Sequence, residues 1–376
     1  MMLDIRDHGG NFGEKVSGGN DAIDVFKDLN SDFPLEKPIQ LNAGSFTGKN
    51  SCYDICGNHI LVATLTATRL YKMSKNGLDS KPTLVTSHSF IGASRFTLFA
   101  IANSYYATAE TGASPWTVRT YNLLGQQIAS LNFPSAVQDI KSDGEYLYIM
   151  SQNTIQKYSS ALGSPIATLP TPSGFNNVIA GNYLPLFVPK GDSNPYFYLQ
   201  YGHTSGNIAI SKHLKSTLAQ VAVNTTDVQN YASSHIMGVD YELDKVYVAR
   251  CNSNPYVSII VLDSTMAKVW DSGTFDYNSG TASYVSNVIF GKDDASFKYK
   301  SQNGTSYGFL THRRINRKTF ANSSNYSSGT EVVSLQLGWY HIAYDENQKR
   351  MLKSSLMYTY PPNGVADEIN IGFYKI

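Results

Sequence analysis

From about Asn50 to the C-terminus the chain runs as short apolar stretches punctuated by clusters of Gly, Asn, Asp, Ser and Pro, with almost no apolar pattern at helical period. That pattern predicts β-strands throughout. Ile60-Leu61-Val62-Ala63 and Tyr146-Leu147-Tyr148-Ile149-Met150 are apolar at every position rather than at alternate ones. Strands of that kind are covered on both faces, so they belong inside stacked sheets.

The strands recur in sets. Tyr53-Asp54-Ile55 precedes Ile60-Leu61-Val62-Ala63, and Gln138-Asp139-Ile140 precedes Tyr146-Leu147-Tyr148-Ile149. Each set runs on to a third strand, Leu70-Tyr71-Lys72-Met73 or Ile155-Gln156-Lys157-Tyr158, and a turn ending in Gly77 or Gly163. Between them, Tyr105-Tyr106-Ala107 leads through Val118-Arg119-Thr120-Tyr121 and a turn at Asn122-Leu123-Leu124-Gly125 to a fourth strand, Ile128-Ala129-Ser130-Leu131. That fourth strand returns as Ile166-Ala167-Thr168-Leu169. Gly238-Val239-Asp240, Val246-Tyr247-Val248-Ala249, Ser258-Ile259-Ile260-Val261-Leu262 and Ala267-Lys268-Val269-Trp270 make another set.

Second strands near Leu61, Tyr106, Leu147, Phe197, Tyr247, Tyr307 and Ile342 mark seven units, mostly about 40 to 60 residues apart. Four short strands at that period predict an all-β chain folded as a β-propeller of seven four-stranded blades. Many of the 26 tyrosines would then fill the widening wedges between blades. A two-sheet sandwich or a tandem of two β domains is the competing arrangement, and the irregular spacing around 180–235 and 285–335 favours it. No propeller subclass fits. Trp270-Asp271 occurs once and ends a fourth strand, Ser142-Asp143-Gly144 lacks the sialidase spacing and its Trp, and three tryptophans are too few for the quinoprotein repeat.

Residues 1–45 differ from the rest. Gly9, Gly10, Gly13, Gly18 and Gly19, interleaved with Asp, Asn and Glu, carry too little apolar area to offset chain entropy unaided. The expected organisation is an extended N-terminal attachment arm over 1–45 and a propeller domain over 46–376. Within the arm, Ala22, Ile23, Val25, Phe26 and Leu29 suit one or two helical turns before Phe33-Pro34 and Lys37-Pro38 impose an extended exit.

Apolar residues make up 42% and charged residues only 16%, against a usual quarter, so Ser, Thr, Asn, Gly and Tyr must cover the surface. A net charge of +1 supplies no global field for nucleic acid or an acidic membrane, and neither is expected as a partner. No stretch reaches bilayer-spanning length, and the opening residues lack a signal-peptide core. Cys52, Cys56 and Cys251 are too few for a disulfide framework and read as buried thiols of a chain folded under reducing conditions.

Candidate chemistry is sparse. Gly92-Ala93-Ser94-Arg95 breaks the nucleophile elbow at its last position, and the arm's glycines lack the Lys-Ser/Thr of a phosphate loop. The eight histidines show no metal spacing, and Asp293-Asp294 and Asp345-Glu346 read as solvated turns. No catalytic residue, metal or cofactor is expected. The dense basic run containing Arg313, Arg314, Arg317 and Lys318 is a candidate surface contact, with a charged strand edge as the plainer reading. Tyr196, Tyr256 and Tyr326, in Pro- or Asn-flanked loops, are candidate contact residues for sugar rings or protein.

The opening Leu3-Asp4-Ile5-Arg6-Asp7-His8-Gly9-Gly10-Asn11-Phe12-Gly13 resembles the start of tailed-bacteriophage virion proteins, in which a short N-terminal segment attaches a tail, neck or fibre component. The resemblance covers 11 of 376 residues. It implies a non-enzymatic structural part of a virion, made and assembled in the host cytoplasm in multiple symmetric copies beside other virion proteins. Leu3, Ile5, Arg6, Phe12, Ile23, Val25 and Phe26 would be the arm's contacts, ordered against a neighbour. Two other functions stay open: an adhesin for host attachment through a surface glycan, and a propeller glycosidase or lyase.

Overall fold

The computed structural model describes residues 35–41, 53–63, 67–72, 83–89, 97–110, 114–152, 154–177, 186–191, 194–229, 234–253, 256–273, 284–285, 288–290, 293–303, 307–327, 342–345, 350–357 and 368–375. Among the described residues there are strands and no helix. β1 is Leu35–Leu41. Blade 1 holds β2 (Tyr53–Cys56), β3 (His59–Ala63), β4 (Ala67–Lys72) and β5 (Thr83–Ser89). Blade 2 holds β6 (Thr97–Ile101), β7 (Tyr105–Glu110), β8 (Trp116–Asn122) and β9 (Gln127–Phe133). Blade 3 holds β10 (Val137–Ser142), β11 (Leu147–Ser151), β12 (Thr154–Tyr158) and β13 (Ala167–Leu169).

Blade 4 holds β14 (Phe175–Asn177), β15 (Leu186–Phe187), β16 (Tyr196–His203), β17 (Asn207–Leu214) and β18 (Gln220–Gln229). Blade 5 holds β19 (His235–Asp240), β20 (Lys245–Ser253), β21 (Tyr256–Leu262) and β22 (Lys268–Asp271). Blade 6 holds β23 (Tyr284–Val285), β24 (Ile289–Phe290), β25 (Asp294–Asn303), β26 (Tyr307–Asn316) and β27 (Asn322–Ser327). Blade 7 is built from β28 (Ile342–Asp345), β29 (Arg350–Met357), β30 (Glu368–Lys375) and, outermost, β1.

Every blade is an antiparallel meander, labelled a to d from the inside out. The a strands touch in succession: β28 meets β2, β2 meets β6, β6 meets β10, and β10 meets β15. Seven separate sheets converging on their innermost strands form a seven-bladed β-propeller, and the sandwich alternative falls. Its two supports have a local cause. In blades 4 and 6 the a strand is split, β14 and β15 both pairing with β16 and β23 and β24 both pairing with β25, and the inserted residues stretch the repeat there.

Two expectations need correction. Leu35–Leu41 belongs to the propeller and not to the arm, because it pairs with β30 and closes the ring with a strand from the far end of the chain. Its register slips between Glu36 and Ile39, around Pro38, which has no N–H to give a ladder. Tyr307 opens a c strand and Ile342 an a strand, so neither marks a second strand. The true second strand of blade 6, β25, carries Lys, Ser and Gln along much of its length and gives a weak apolar signal. The helical turns expected at Ala22–Leu29 lie outside the described residues.

The core is a series of wedges and not one centre. Buried clusters join Cys56, Leu61 and Leu70 to Phe99 and Tyr106 between blades 1 and 2, and Val118 and Phe133 to Ile140 and Ile149 between blades 2 and 3. Tyr148 and Met150 meet Phe197 and Leu199, Ile210 meets Val239 and Val248, and Tyr247 meets Ala295 and Phe297 at the next three interfaces. All five positions of β11 are buried, as the apolar run Leu147–Met150 requires and with Ser151 at its end, while the outermost β9 is largely exposed.

The turn between strands c and d supplies a plug for these wedges. Leu162, Leu218, Met266 and Phe320 occupy equivalent places in blades 3 to 6, each with left-handed backbone at φ of 49°, 62°, 65° and 60°. The first three are buried and Phe320 packs partly buried, each in the cluster shared with the preceding blade. Left-handed backbone costs a non-glycine residue about 1 to 2 kcal/mol, less than the burial of a large aliphatic returns. Within the turn that ends in Gly163, the left-handed position falls on Leu162, because the wedge needs a side chain there. In blade 2 the equivalent residue is Gly125, where an added Cβ would lie 2.6 Å from Thr86 Oγ1 of blade 1, which already fills the space.

Candidate functional site

In an antiparallel meander the a–b and c–d turns lie at the same end, so one face of the propeller gathers both. Charged and polar side chains on this face tie blades 2 to 6 together in succession. The Thr120 hydroxyl donates to Ser160 O at 2.6 Å, Lys157 Nζ to Lys215 O at 2.9 Å, Lys212 Nζ to Ser264 O at 3.3 Å, and Lys245 Nζ to Arg317 O at 2.9 Å. Each bond runs from one blade to the c–d turn of its successor, at four consecutive interfaces. The three ammonium groups also sit over aromatic faces: Lys157 over Tyr146 at 4.1 Å, Lys212 over Tyr196 at 4.0 Å and Lys245 over Phe320 at 4.4 Å. Carbonyl oxygens and π faces together replace the water that a buried ammonium loses.

A second device uses aspartates of the a strands. Asp54 Oδ2 accepts the Ile101 N–H at 3.0 Å, and Asp139 Oδ2 accepts the Leu186 N–H at 3.3 Å. Each carboxylate thus holds the inner strand of the following blade, which is the physical content of the Tyr-Asp-Ile and Gln-Asp-Ile repeat in the sequence. Asp139 is wholly buried; desolvation pushes its carboxyl above the usual range, against the pull of Lys141 at 3.4 Å and the Ile140 and Leu186 N–H groups. The other oxygen of Asp54 pairs with Lys190, from blade 4 on the opposite side of the ring, so this ion pair spans the axis.

Backbone bonds complete the seam around that pair. The Asn103 N–H donates to Gly144 O and the Gly191 N–H to Asp143 O, both at 2.7 Å, and Lys215 Nζ donates to Gly191 O at 2.9 Å. The Cys56 thiol donates to Asn103 Oδ1 at 3.1 Å. His213, fully buried and stacked on Phe197 at 5.0 Å, accepts from the Ser211 hydroxyl at Nε2 and donates from Nδ1 to Leu218 O, which ties it to the plug turn. Burial lowers its pKa to about 4, so the ring is neutral.

Arg317 is the clearest departure from the sequence reading. It is 5% exposed, not a surface contact: Nε and Nη2 hold both oxygens of Asp240 at 2.7 and 2.5 Å, and Nη2 reaches Glu242 at 3.0 Å. Its backbone leaves the surface because it begins the plug turn of blade 6, and its own N–H donates to Asp293 O. Arg313 and Arg314 lie in β26, paired on one side with β25 and on the other with β27, so the basic run is an interior strand and not a charged edge. Lys318 is exposed, and the side chains of Arg313 and Arg314 lie outside the description.

Tyr196 opens β16 and lies half-buried under Lys212. Tyr256 and Tyr326 lie in strands β21 and β27, and their side chains fall outside the description. Leu3, Ile5, Arg6, Phe12, Ile23, Val25 and Phe26 also lie outside the described residues. The three tyrosines therefore lie in three different blades, with Tyr326 in the strand that pairs with the one carrying Arg313 and Arg314. Sequence reasoning missed Lys157, Lys212, Lys245 and the plug residues. The visible signal was the Ser/Lys-Ala/Thr-apolar-Gly/Ala run at the c–d turns of blades 3 to 6. Among the described residues no group of three His, Cys, Asp or Glu side chains converges as a metal site.

No family model and no curated protein matches the sequence. Solved structures do match the fold. The WD40 domain of Toxoplasma gondii coronin is 12% identical, covers 92% of this chain and 87% of its own, and superposes with a TM-score of 0.52. Sqt1 of Saccharomyces cerevisiae is 12% identical over 85% of this chain and 82% of its own, with a TM-score of 0.51. BBS1N, solved in complex with ARL6DN, is 10% identical over 91% of this chain and 96% of its own, again with a TM-score of 0.51. At such identity the likeness is one of architecture: the chain is a β-propeller similar in fold to these proteins.

Proposed function

We propose that the chain is a non-enzymatic structural component of a bacteriophage virion, in the tail, neck or fibre region. Its N-terminal arm docks on a neighbouring virion protein, and its propeller is a rigid module for display and protein contact. The observation that carries this reading is the use of the buried cations: Lys157, Lys190, Lys212, Lys215 and Arg317 all reach carbonyls or carboxylates of another blade or turn. Such cross-links fix the angles between blades and suit a part whose task is to keep its shape while held by repeated contacts in a symmetric particle. The resemblance of residues 3–13 to virion attachment segments gives the setting.

The test is truncation. Removing residues 1–34, and so stopping short of β1, leaves a folded, soluble propeller that no longer enters particles. Normal incorporation of the truncated chain, measured by its copy number in purified particles, overturns the attachment reading.

A further inference from the structure

The exposed large apolar side chains among the described residues are Leu84, Leu124, Ile128, Ile166, Val221, Val223 and Val269. Their placement is not scattered. Leu84, Ile128, Val221, Val223 and Val269 lie in the opening residues of the outermost strands β5, β9, β18 and β22, Ile166 immediately precedes β13, and Leu124 is in the turn that leads into β9. All therefore sit on the rim of the propeller at its c–d end, in five consecutive blades. Leu124, at 76% exposed, and Ile166, at 54%, are the most open. The same strands are sheet edges, with a row of backbone N–H and C=O groups turned outward. An aliphatic beside an open edge, repeated from blade to blade, is a surface for an extended segment that adds backbone bonds and inserts apolar pegs.

The topology indicates which segment. β1 is the outermost strand of blade 7, and Leu35 pairs with Tyr374 near the end of the c strand β30. The chain therefore enters the propeller at the rim and at its c–d end, the same level as the exposed aliphatics. Residues 1–34 lead into that point and carry Ile5, Phe12, Ile23, Val25 and Phe26. Fully extended, 34 residues reach about 110 Å. A domain of this length has a radius of gyration of about 21 Å, giving a rim of roughly 25 Å per blade. From blade 7 the segment has the reach to pass Leu84 of blade 1, Leu124 and Ile128 of blade 2 and Ile166 of blade 3.

We propose that the c–d rim of blades 1 to 3 is the seat of residues 1–34 of the chain. This rests on the reading of that segment as an attachment arm and deepens it by naming the receiving surface. Tethering gives the arm an effective concentration on its own rim in the millimolar range, while the identical rim of an adjoining copy receives it in an assembly.

The experiment uses the chain lacking residues 1–34 and a synthetic peptide of residues 1–34, with binding followed by calorimetry. A second protein carries Leu84→Ser, Ile128→Ser and Ile166→Ser. These positions are exposed, and its circular dichroism and melting curve report whether the fold is kept. Saturable one-to-one binding that weakens at least tenfold in the serine protein supports the proposal. No binding, or equal binding to both proteins, overturns it. Self-association of the truncated chain that the serine substitutions abolish also overturns it, because a second propeller and not the arm then covers the rim. If the peptide fails to bind while the truncated chain is still excluded from particles, the rim proposal falls and the attachment reading stands.

Discussion

Leu218 offers a test in which the usual order of two substitutions is upset. It is 1% exposed, packs with Tyr148, Met150 and Ile155 of blade 3, and has φ of 62°. Truncation to Ala removes the plug and is expected to cost about 3 kcal/mol, within the range for buried leucines. Going on from Ala to Gly removes one more carbon, about 0.8 kcal/mol of burial. It also raises the entropy of the unfolded chain by an equivalent of about 0.7 kcal/mol. Against these stands relief of the left-handed backbone, about 1.5 kcal/mol. The three contributions cancel, so Leu218→Ala and Leu218→Gly are expected to be equally stable within about 0.5 kcal/mol. Leu199 is the control: equally buried in the same cluster, within the extended strand β16. There no relief operates, and Gly is expected to fall below Ala by about 1.5 kcal/mol. Urea unfolding followed by tryptophan fluorescence and circular dichroism measures all four variants. A gap between Ala and Gly at 218 as wide as that at 199 refutes the plug argument.

Three further outcomes are expected. Arg317→Met leaves the Asp240 carboxylate buried without its partner and should cost about 3 to 5 kcal/mol, of which Arg317→Met with Asp240→Asn recovers at least half; a loss below about 1 kcal/mol in the single variant, by denaturant titration, contradicts the buried ion pair. His213 has its pKa lowered to about 4 from 6.5. Its contribution is therefore complete above pH 6.5 and is lost as pH falls toward 4, by up to about 3 kcal/mol. Stability measured across that window should fall more steeply in the native chain than in His213→Gln, and parallel curves reject a buried neutral imidazole. Deletion of residues 1–41 removes the strand that closes blade 7, so its melting temperature should lie well below that of the chain lacking only 1–34; coincident melts exclude β1 from the ring.

The all-β class, the blade period over the first five blades and the doubly buried inner strands follow from local patterning, because a strand covered on both faces must be apolar along its whole length and its neighbours must recur at the blade period. Tyr146–Met150 and Ile60–Ala63 carried that information unaided. The repeated aspartate at 54 and 139 was visible too, but its role was not, since its partners Ile101 and Leu186 belong to the following blade. The ring closure was likewise hidden: Leu35–Leu41 reads as part of a Gly-rich leader until β30 offers it an edge, a pairing between opposite ends of the chain that no local window contains. Arg317 stands in a basic run that reads as surface, and only the approach of Asp240 from blade 5 takes it inside. A left-handed leucine at 162 or 218 is unfavourable by its own backbone and is selected by the wedge it fills. Sequence alone determined what each strand is made of, because burial of a strand is a local pattern. Tertiary structure decided how the blades are joined, because a charge, a turn or an edge is settled by a partner far along the chain.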